Sequence, residues 1–129
     1  MYCIDTDVII ADFRGDESVK ERLIEISTDN LFITPITLCE LYRGAFLSGN
    51  AEKNKQLIGK LLEKVGILDF DLPACEIFGR AYKMLRNLGK LTQDSDLMTA
   101  SICMSNNLTL ITRNKKHFEN IKGLKIEEW

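Results

Sequence analysis

The sequence has 129 residues, of which 45% are apolar and 28% are charged, and this composition suits one compact domain with its own core. Only 2 Pro and 8 Gly occur, which excludes an extended disordered segment. The formal net charge of −2 excludes a general attraction to polyanions, so a nucleic acid would have to be bound through local basic residues or cations.

The sequence gives no sign of export or of a membrane span. No apolar run approaches the roughly 20 residues that a transmembrane helix requires. The first residues, MYCIDTD, carry acids where a signal peptide has basic residues, so we expect a cytoplasmic protein. Four cysteines lie in separate apolar runs without a CxxC pair, which predicts buried free thiols and no structural zinc. These are Cys3, Cys39, Cys75 and Cys103.

The first part of the chain predicts two strands with two helices between them. Residues 1–5 form a short apolar strand, and 6–13 form a short helix that ends before Gly15. Asp16 is placed to cap the next helix. The apolar stripe of that helix is Val19, Leu23, Ile24 and Ile26. Residues 31–34 are predicted as the second strand.

The middle of the chain predicts three helices and a third strand. Pro35 suits the first turn of a helix, and a third strand is predicted at 66–70. Pro73 opens a further helix, which Gly89 closes. Apolar residues recur in each helix at the spacing of one buried face. The three stripes are Leu38, Leu41, Tyr42, Ala45 and Phe46; Leu57, Ile58, Leu61, Leu62 and Val65; and Ile77, Phe78, Ala81, Tyr82, Leu85 and Leu88.

The last part of the chain predicts a helix at 94–106, a buried strand at 108–112 and an edge strand at 124–129. Strands that alternate with helices indicate a parallel sheet with helices on both faces. We therefore expect residues 1–129 to form a single α/β domain, a three-layer α/β/α sandwich around a five-stranded parallel sheet.

Acidic and amide side chains are expected at one edge of this sheet. Asp5 ends the first strand, Glu40 lies early in the helix after the second strand, and Asn114 follows the fourth strand. Asp94 and Asp96 begin the helix before that strand. Ligands of open parallel sheets bind at the carboxyl ends of the strands. Clustered carboxylates repel one another unless a cation neutralises them, and oxygen ligands suit Mg²⁺ or Mn²⁺. This arrangement favours phosphodiester chemistry.

Each acid also has a purely structural explanation. Asp5 or Asp7 is placed to cap the short helix. Thr37 and Glu40 have the spacing of a capping box. The two acids at 94 and 96 suit a helix N-terminus through the helix dipole. Capping does not explain why Asp5 and Asp96, which are distant in the sequence, should reach the same edge of the sheet.

Four segments resemble the PIN-domain family, in the right order and along the whole chain. YCIDTDVI resembles its opening strand, and ITLCELYRG is similar to its Glu-bearing helix. QDSDLMTASICMSNNLTLITRNKKHF resembles its longest signature, and IKGLKIEEW matches the closing strand. The length suggests the VapC-type toxins of prokaryotic toxin–antitoxin pairs.

The resemblance implies a PIN-like fold, Mg²⁺- or Mn²⁺-dependent endonucleolytic cleavage of RNA, a cognate VapB-type antitoxin that inhibits the site, and a homodimer. Carried over by position, Asp5, Glu40 and Asp96 are the catalytic acids and the metal ligands. The fourth family position is commonly Asp and is Asn114 here, which leaves open whether one ion or two are bound. Asp94 is a candidate replacement, although a cap is its favoured interpretation.

The mechanism that these residues predict is in-line attack on an RNA phosphodiester by a water that the ion activates, leaving 5′-phosphate and 3′-hydroxyl ends. Asp5 and Asp96 hold the ion, and Glu40 orients or deprotonates the water. The supporting residues behind the acids are Thr6, Asp7 and Thr112. The candidates for contacts with the RNA backbone are Arg113, Lys115 and Lys116, although a solvated charged loop explains them equally well. His117 is expected to be a surface or loop residue.

Two other functions remain open at this point. A phosphoacceptor receiver domain would also carry an acidic pair after the first strand, and Asp71 would be its phosphorylated residue. That interpretation leaves Glu40 and Asp96 unexplained. The second alternative is a PIN fold that binds RNA with an active site weakened by Asn114. The apolar helices at 36–48 and 52–65 suit either core packing or pairing with a partner helix.

Overall fold

All strands of the sheet are parallel, and the computed structural model describes all 129 residues. The strands lie in the order β3-β2-β1-β4-β5. Their bounds are β1 Tyr2–Ile4, β2 Leu31–Ile33, β3 Gly66–Ile67, β4 Thr109–Thr112 and β5 Lys125–Glu128. The chain builds outward from β1 to β3 and then crosses to the other side of β1, so strand order reverses between β1 and β4. A site is expected at the carboxyl ends of these two strands.

Six α-helices surround the sheet. They are α1 Thr6–Phe13, α2 Glu17–Glu25, α3 Pro35–Leu47, α4 Ala51–Leu62, α5 Leu72–Asn87 and α6 Asp94–Ser105, with short 3₁₀ turns at Thr28–Asn30 and Lys115–His117. None of these helices combines the length and the apolar character needed to traverse a lipid bilayer.

Alternate residues of the strands face two separate cores. Ile4 and Ile111 belong to the core that packs against α1–α4, whereas Cys3 and Leu110 belong to the core against α5 and α6. This alternation is the two-residue period of a strand that is buried on both faces. The predicted three-layer fold with a five-stranded parallel sheet is therefore confirmed.

Polar caps define where several helices begin. Asp16 Oδ1 accepts a 3.3 Å hydrogen bond from the Val19 amide, as the sequence predicts. Thr34 caps α3, accepting from the Thr37 amide at 3.1 Å. Such caps satisfy backbone N–H groups that the first helical turn leaves without partners.

The third strand is shorter than predicted. The sequence predicts residues 66–70, but only Gly66 and Ile67 pair with β2. One further bond joins the Leu68 amide to the Ile33 carbonyl, and Asp71 then caps α5. The strand lies at the edge of the sheet and β2 itself has three residues, so little backbone remains for it to pair with.

Part of the predicted apolar stripe is exposed in α2, α3 and α5, but not in α4. Ile24, Phe46 and Leu88 lie largely in solvent and Tyr82 is 37% exposed, so the predicted burial of these four residues is wrong. The strands are short and give each helix a narrow contact area, which leaves the flanking positions of a stripe uncovered. Leu41, Ala45 and Ile58 are buried in the core, so core packing accounts for the central positions in α3 and α4.

The four cysteines are free, as predicted, but only two are buried. Cys3 and Cys103 lie within the core, whereas Cys39 and Cys75 are exposed. Cys75 directly follows the buried Ala74 in α5. One step along a helix rotates a side chain by about 100°, which turns the next position away from the core. The prediction of burial is therefore wrong for Cys39 and Cys75.

Candidate active site

Asp5 lies at the point where strand order reverses. It directly follows β1, and its side-chain Oδ1 caps α1 by accepting from the Thr6 amide at 2.9 Å. Its Oδ2 accepts a 2.8 Å hydrogen bond from the Thr112 hydroxyl at the end of β4. Only 9% of the residue is exposed. Asp5 is therefore a helix cap and, at the same time, a carboxylate at the sheet edge.

The surroundings of Asp5 disfavour its negative charge. The pKa of Asp5 is raised to about 7. Burial raises it most and the charge of Asp7 next, whereas hydrogen bonds from Thr112 and Thr6 lower it. The charge of Asp96 raises this pKa further. A nearby cation would favour the ionised form of such a carboxyl group.

Glu40 is not part of a capping box. Helix α3 begins at Pro35, so Glu40 is the sixth residue of the helix and Thr37 is not its N-cap. The predicted bond from the Glu40 carboxylate to the Thr37 amide is therefore wrong, because Thr34 already caps that amide. Instead, Glu40 Oε1 accepts a 3.0 Å hydrogen bond from the Thr6 hydroxyl. Glu40 thus faces the start of α1, next to Asp5.

Asp96 lies in the first turn of α6, with its side chain 17% exposed. Burial raises its pKa, the charge of His117 lowers it, and the charges of Glu40 and Asp7 raise it. Asp94 is exposed and makes no capping bond, since the N-cap residue is Gln93. Asp94 lies in the first turn of α6, as the helix-dipole interpretation predicts, but the predicted capping hydrogen bond is absent. Asp94 is not among the charges that shift the pKa of Asp5 or Asp96.

Buried threonines connect the helices that carry Glu40 and Asp96. The Thr34 hydroxyl, at the end of β2, lies 3.3 Å from the Thr37 hydroxyl and 3.4 Å from that of Thr99 in α6. All three residues are almost fully buried. Because buried hydroxyls need hydrogen-bond partners, these contacts hold α3 and α6 in a fixed relation at the sheet edge.

Asp7 and Asn114 form a second polar contact at this edge. Asp7 Oδ2 accepts from the Asn114 side-chain amide at 2.8 Å and from the Arg113 backbone amide at 3.1 Å. The Asn114 backbone amide donates to the Thr112 hydroxyl at 3.1 Å. The loop after β4 is therefore fastened to α1, and Asn114 contacts Asp7 rather than Asp5.

His117 is the feature that the sequence least predicts. It is exposed, as expected, but its Nδ1 lies 3.4 Å from Asp96 Oδ2. Its carbonyl oxygen accepts a 2.9 Å hydrogen bond from the Thr92 hydroxyl, which fixes the 3₁₀ turn against the start of α6. A single histidine three positions after Asn114 carries no recognisable pattern, so only the fold reveals this contact.

The predicted basic residues lie in the loop that follows β4, which also carries Asn114 and His117. Arg113 forms a 3.1 Å ion pair with Asp16, and its side chain is 43% exposed. Lys115 and Lys116 are exposed and make no side-chain hydrogen bond or ion pair. A cleft of about 490 Å³ also adjoins the site, lined by Pro35, Ile36, Cys39, Glu40, Arg43 and Ser95. Open space therefore adjoins Glu40, and the basic side chains lie on the loop that contacts Asp7 and Asp96.

The donor set fits a hydrated divalent cation. Asp5, Asp7, Glu40 and Asp96 offer only oxygen ligands and influence one another electrostatically. Asp7 Oδ1 is buried and has no hydrogen-bond partner. No three acidic, histidine or cysteine side chains converge on a single point that would enclose an ion. Mg²⁺ usually keeps several waters and binds through one or two carboxylates, so a closed cage is not required.

This combination of a parallel sheet with acids at its switch point defines an α/β domain with a candidate metal-ion site. The model of the PIN domain matches residues 2–124. Ribonuclease VapC1 of Haemophilus influenzae is 32% identical, over 100% of this chain and 98% of that protein. A tRNA(fMet)-specific endonuclease VapC of Shigella flexneri is 30% identical, over 99% and 97% respectively. The chain belongs to the PIN-domain family.

A solved structure supports the same assignment. The crystal structure of VapBC2 from Rickettsia felis bound to a promoter DNA fragment aligns with a TM-score of 0.92 and 28% identity, over 99% of this chain and 98% of that one. The receiver-domain alternative is wrong. Asp71 caps α5, accepting from the Ala74 amide at 3.0 Å, beside the edge strand and outside the group of acids.

Proposed function

We propose that this chain is a divalent-metal-dependent endoribonuclease and the toxin of a VapBC-type toxin–antitoxin pair. The observation that carries the proposal is the buried carboxylate of Asp5, whose pKa is raised to about 7 beside other acids. Perturbed carboxyl groups in one cleft are typical of functional sites. The relatives named as VapC ribonucleases supply the reaction class.

The proposed ligands of the cation, Mg²⁺ or Mn²⁺, are Asp5, Asp96 and Glu40. When bound, such an ion supplies positive charge that stabilises developing charge on a phosphoryl group and acidifies a water. Thr112 and Thr6 keep the carboxylates of Asp5 and Glu40 in fixed orientations through their hydroxyl groups. Preoriented ligands bind an ion without first losing rotamer freedom.

Glu40 is the proposed proton acceptor. Its side chain is 28% exposed and lines the open cleft, so water and substrate reach it. The Thr6 hydroxyl engages Oε1, whereas Oε2 lies 3.9 Å from the Arg43 guanidinium, beyond hydrogen-bond distance, and Oε2 is the oxygen proposed to take a proton from an attacking water. Water attacks phosphorus in line with the 3′-oxygen; the bond from phosphorus to this oxygen breaks, the oxygen takes up a proton, and the products carry 5′-phosphate and 3′-hydroxyl ends.

Lys115, Lys116 and Arg113 are the proposed RNA-backbone contacts. The net charge of the chain gives no general attraction to RNA, so local cations must bring the phosphates to the acids. The two lysines make no side-chain hydrogen bond or ion pair, whereas Arg113 has to leave Asp16 to bind phosphate. The lysines are therefore the principal contacts.

The proposed partner is a VapB-type antitoxin, and the proposed assembly of the toxin itself is a homodimer. The antitoxin is proposed from the VapBC complexes that share this fold, and the homodimer from the resemblance to VapC-type toxins. The cytoplasm is the proposed location, because the proposed RNA substrate is found there. Co-expression with the protein of the neighbouring gene, followed by light scattering of the purified sample, tests the partner and the assembly together.

The activity is tested with purified protein and a panel of RNAs, including initiator tRNA, in Mg²⁺, Mn²⁺ or chelator. We expect cleavage that requires the cation and is lost in Asp5→Asn, Asp96→Asn and Glu40→Gln. Asp29→Asn removes the same charge from an exposed turn before β2, at the opposite end of the strands, and should cut like wild type. Undiminished cleavage by both Asp5→Asn and Asp96→Asn would overturn the site assignment.

A further inference from the structure

Asp7 and Asn114 are hydrogen-bonded at the edge of the sheet, and the pair carries one negative charge, that of Asp7. The Asn114 amide donates to Asp7 Oδ2 at 2.8 Å, and the Arg113 backbone amide donates to the same oxygen at 3.1 Å. Both hydrogen bonds therefore go to one carboxylate oxygen. The arrangement fixes the direction of the Asp7 side chain from the loop that follows β4.

The other oxygen of Asp7 has no partner in the protein. Oδ1 is buried and accepts no hydrogen bond. A buried carboxylate oxygen without a donor loses its hydration without compensation, so it is costly unless a ligand supplies the missing interaction. Asp7 stands two positions after Asp5, and its charge raises the pKa of both Asp5 and Asp96, the proposed metal ligands.

Asn114, by contrast, is engaged as a donor. Its side-chain Nδ2 donates to Asp7, and its backbone N–H donates to the Thr112 hydroxyl, which in turn donates to Asp5. An amide held in this way orients its acceptors and contributes no negative charge. Position 114, after β4, carries no acid, but Asp7 on α1 supplies a carboxylate beside it.

We propose that Asp7 is the fourth acidic residue of the metal site and that Asn114 is its positioning residue, with Asp7 Oδ1 facing the cation or its hydration water. The inference rests on the proposed function and assigns each position a distinct task. It predicts that the site needs one charge on the Asp7–Asn114 pair, neither zero nor two.

Three variants test the proposal: Asp7→Asn, Asn114→Asp and the double exchange of both. Asp29→Asn serves as the control for charge alone. The first readout is Mn²⁺ affinity by calorimetry without RNA, the second is the melting temperature in chelator, and the third is RNA cleavage. Because the first two readouts need no substrate, they remain informative if the protein does not cut RNA.

We expect Asp7→Asn to weaken Mn²⁺ affinity about tenfold or more, as loss of a metal-supporting residue does, and to lower cleavage with it. Its melting temperature in chelator should rise, because a repulsive charge near Asp5 and Asp96 is removed. Asn114→Asp should melt at a lower temperature in chelator, since two carboxylates then replace the 2.8 Å hydrogen bond. The double exchange should recover part of the Mn²⁺ affinity that Asp7→Asn loses.

Two results would overturn the proposal. Wild-type Mn²⁺ affinity in Asp7→Asn would show that Asp7 only fastens the loop. Tighter Mn²⁺ binding in Asn114→Asp would show that position 114, and not Asp7, faces the ion. Absence of RNA cleavage by the wild type, with the expected order of Mn²⁺ affinities, would instead remove the proposed ribonuclease function and retain this inference.

Discussion

The hydroxyl of Thr112 donates a 2.8 Å hydrogen bond to the carboxylate of Asp5, although 107 positions separate the two residues in the sequence. The bond joins the ends of β4 and β1 at the reversal of strand order. The same hydroxyl accepts a hydrogen bond from the Asn114 amide. One buried side chain therefore holds both the central acid and the loop beside it.

Thr112→Val tests this relationship with almost no change of shape. Loss of the hydroxyl removes an interaction that lowers the Asp5 pKa, so that pKa should rise further. The rising limb of the cleavage pH profile should then move to higher pH. A buried hydrogen bond to a charged group contributes roughly 1.5–3 kcal/mol, so the free energy of unfolding should fall by a similar amount. Cleavage at several pH values and chemical denaturation measure both effects.

The matched control for this variant is Thr109→Val at the beginning of the same strand. Thr109 is half-buried, and its hydroxyl makes no hydrogen bond, so the pH profile should not move. Thr112→Ser keeps the hydroxyl and should restore the profile. Equal pH profiles for Thr112→Val and wild type would contradict an effect of this bond on Asp5.

Asp5→Asn should stabilise the metal-free protein at alkaline pH. The Asp5 pKa is about 7 in the folded protein against 3.8 when exposed, so between these values the folded chain holds a proton that the unfolded chain releases. The wild-type free energy of unfolding should therefore fall as pH rises from about 4 to about 7. Asn also caps helices, so α1 keeps its start. At about 1.4 kcal/mol per pKa unit, the variant gains a few kcal/mol above pH 7.

Thermal unfolding in chelator, measured from pH 4 to pH 8, gives the difference between the two proteins. The difference should grow from about pH 4 to about pH 7 and level off by pH 8. Added Mn²⁺ should raise the melting temperature of the wild type and leave the variant nearly unchanged, because ligands stabilise only the state that binds them. A constant difference across the interval would show that Asp5 titrates normally in the folded chain.

His117→Ala should raise the pKa of Asp96 in the metal-free protein. The charge of His117 lowers the pKa of Asp96, so its removal lets that pKa rise above its already raised value. A carbon-13 NMR titration of the Asp96 carboxyl group in chelator measures the change, and an unchanged titration would contradict the contact. His117→Gln removes the charge but keeps a polar side chain, and it should behave like His117→Ala.

Lys115→Ala combined with Lys116→Ala should weaken RNA binding without altering the metal site. Both lysines are exposed and make no hydrogen bond or ion pair, so stability should hardly change. Loss of phosphate contacts reduces the salt dependence of binding by roughly one unit per contact. Affinity for RNA in Ca²⁺, measured at several salt concentrations, provides the readout. The charge-matched control is Lys60→Ala with Lys64→Ala; Lys60 lies in the last turn of α4, Lys64 follows the helix, and both are exposed.

Much of the fold follows from local patterns in the sequence. The bounds of α1 match the prediction at both ends, because Asp5 and Gly15 mark the helix ends chemically. The short strand β3 does not follow from local pattern, since its length depends on how much of β2 is available to pair. The exposure of Phe46 could not be predicted from local pattern either, because burial depends on what packs opposite the helix.

The candidate site also has parts that the sequence predicts and parts that it does not. Asp5 and Asp96 could be placed at one edge from topology alone, because the carboxyl ends of parallel strands share that edge. The hydrogen-bond partners of the acids could not be predicted, since they depend on side-chain rotamers and on loop geometry. Glu40 satisfies the spacing of a capping box but bonds to Thr6, and His117 turns towards Asp96 from an unpatterned loop.

The hydroxyl contact between Thr34 and Thr99 joins positions 65 residues apart and lies behind the acids. Neither threonine is accessible to RNA or to solvent. A saturation screen scored by toxicity would nevertheless register both positions as intolerant even of valine, because the separation of α3 and α6 sets the distance from Glu40 to Asp96. Such a screen would therefore identify residues that hold the helices of the site in position as well as residues that contact the substrate.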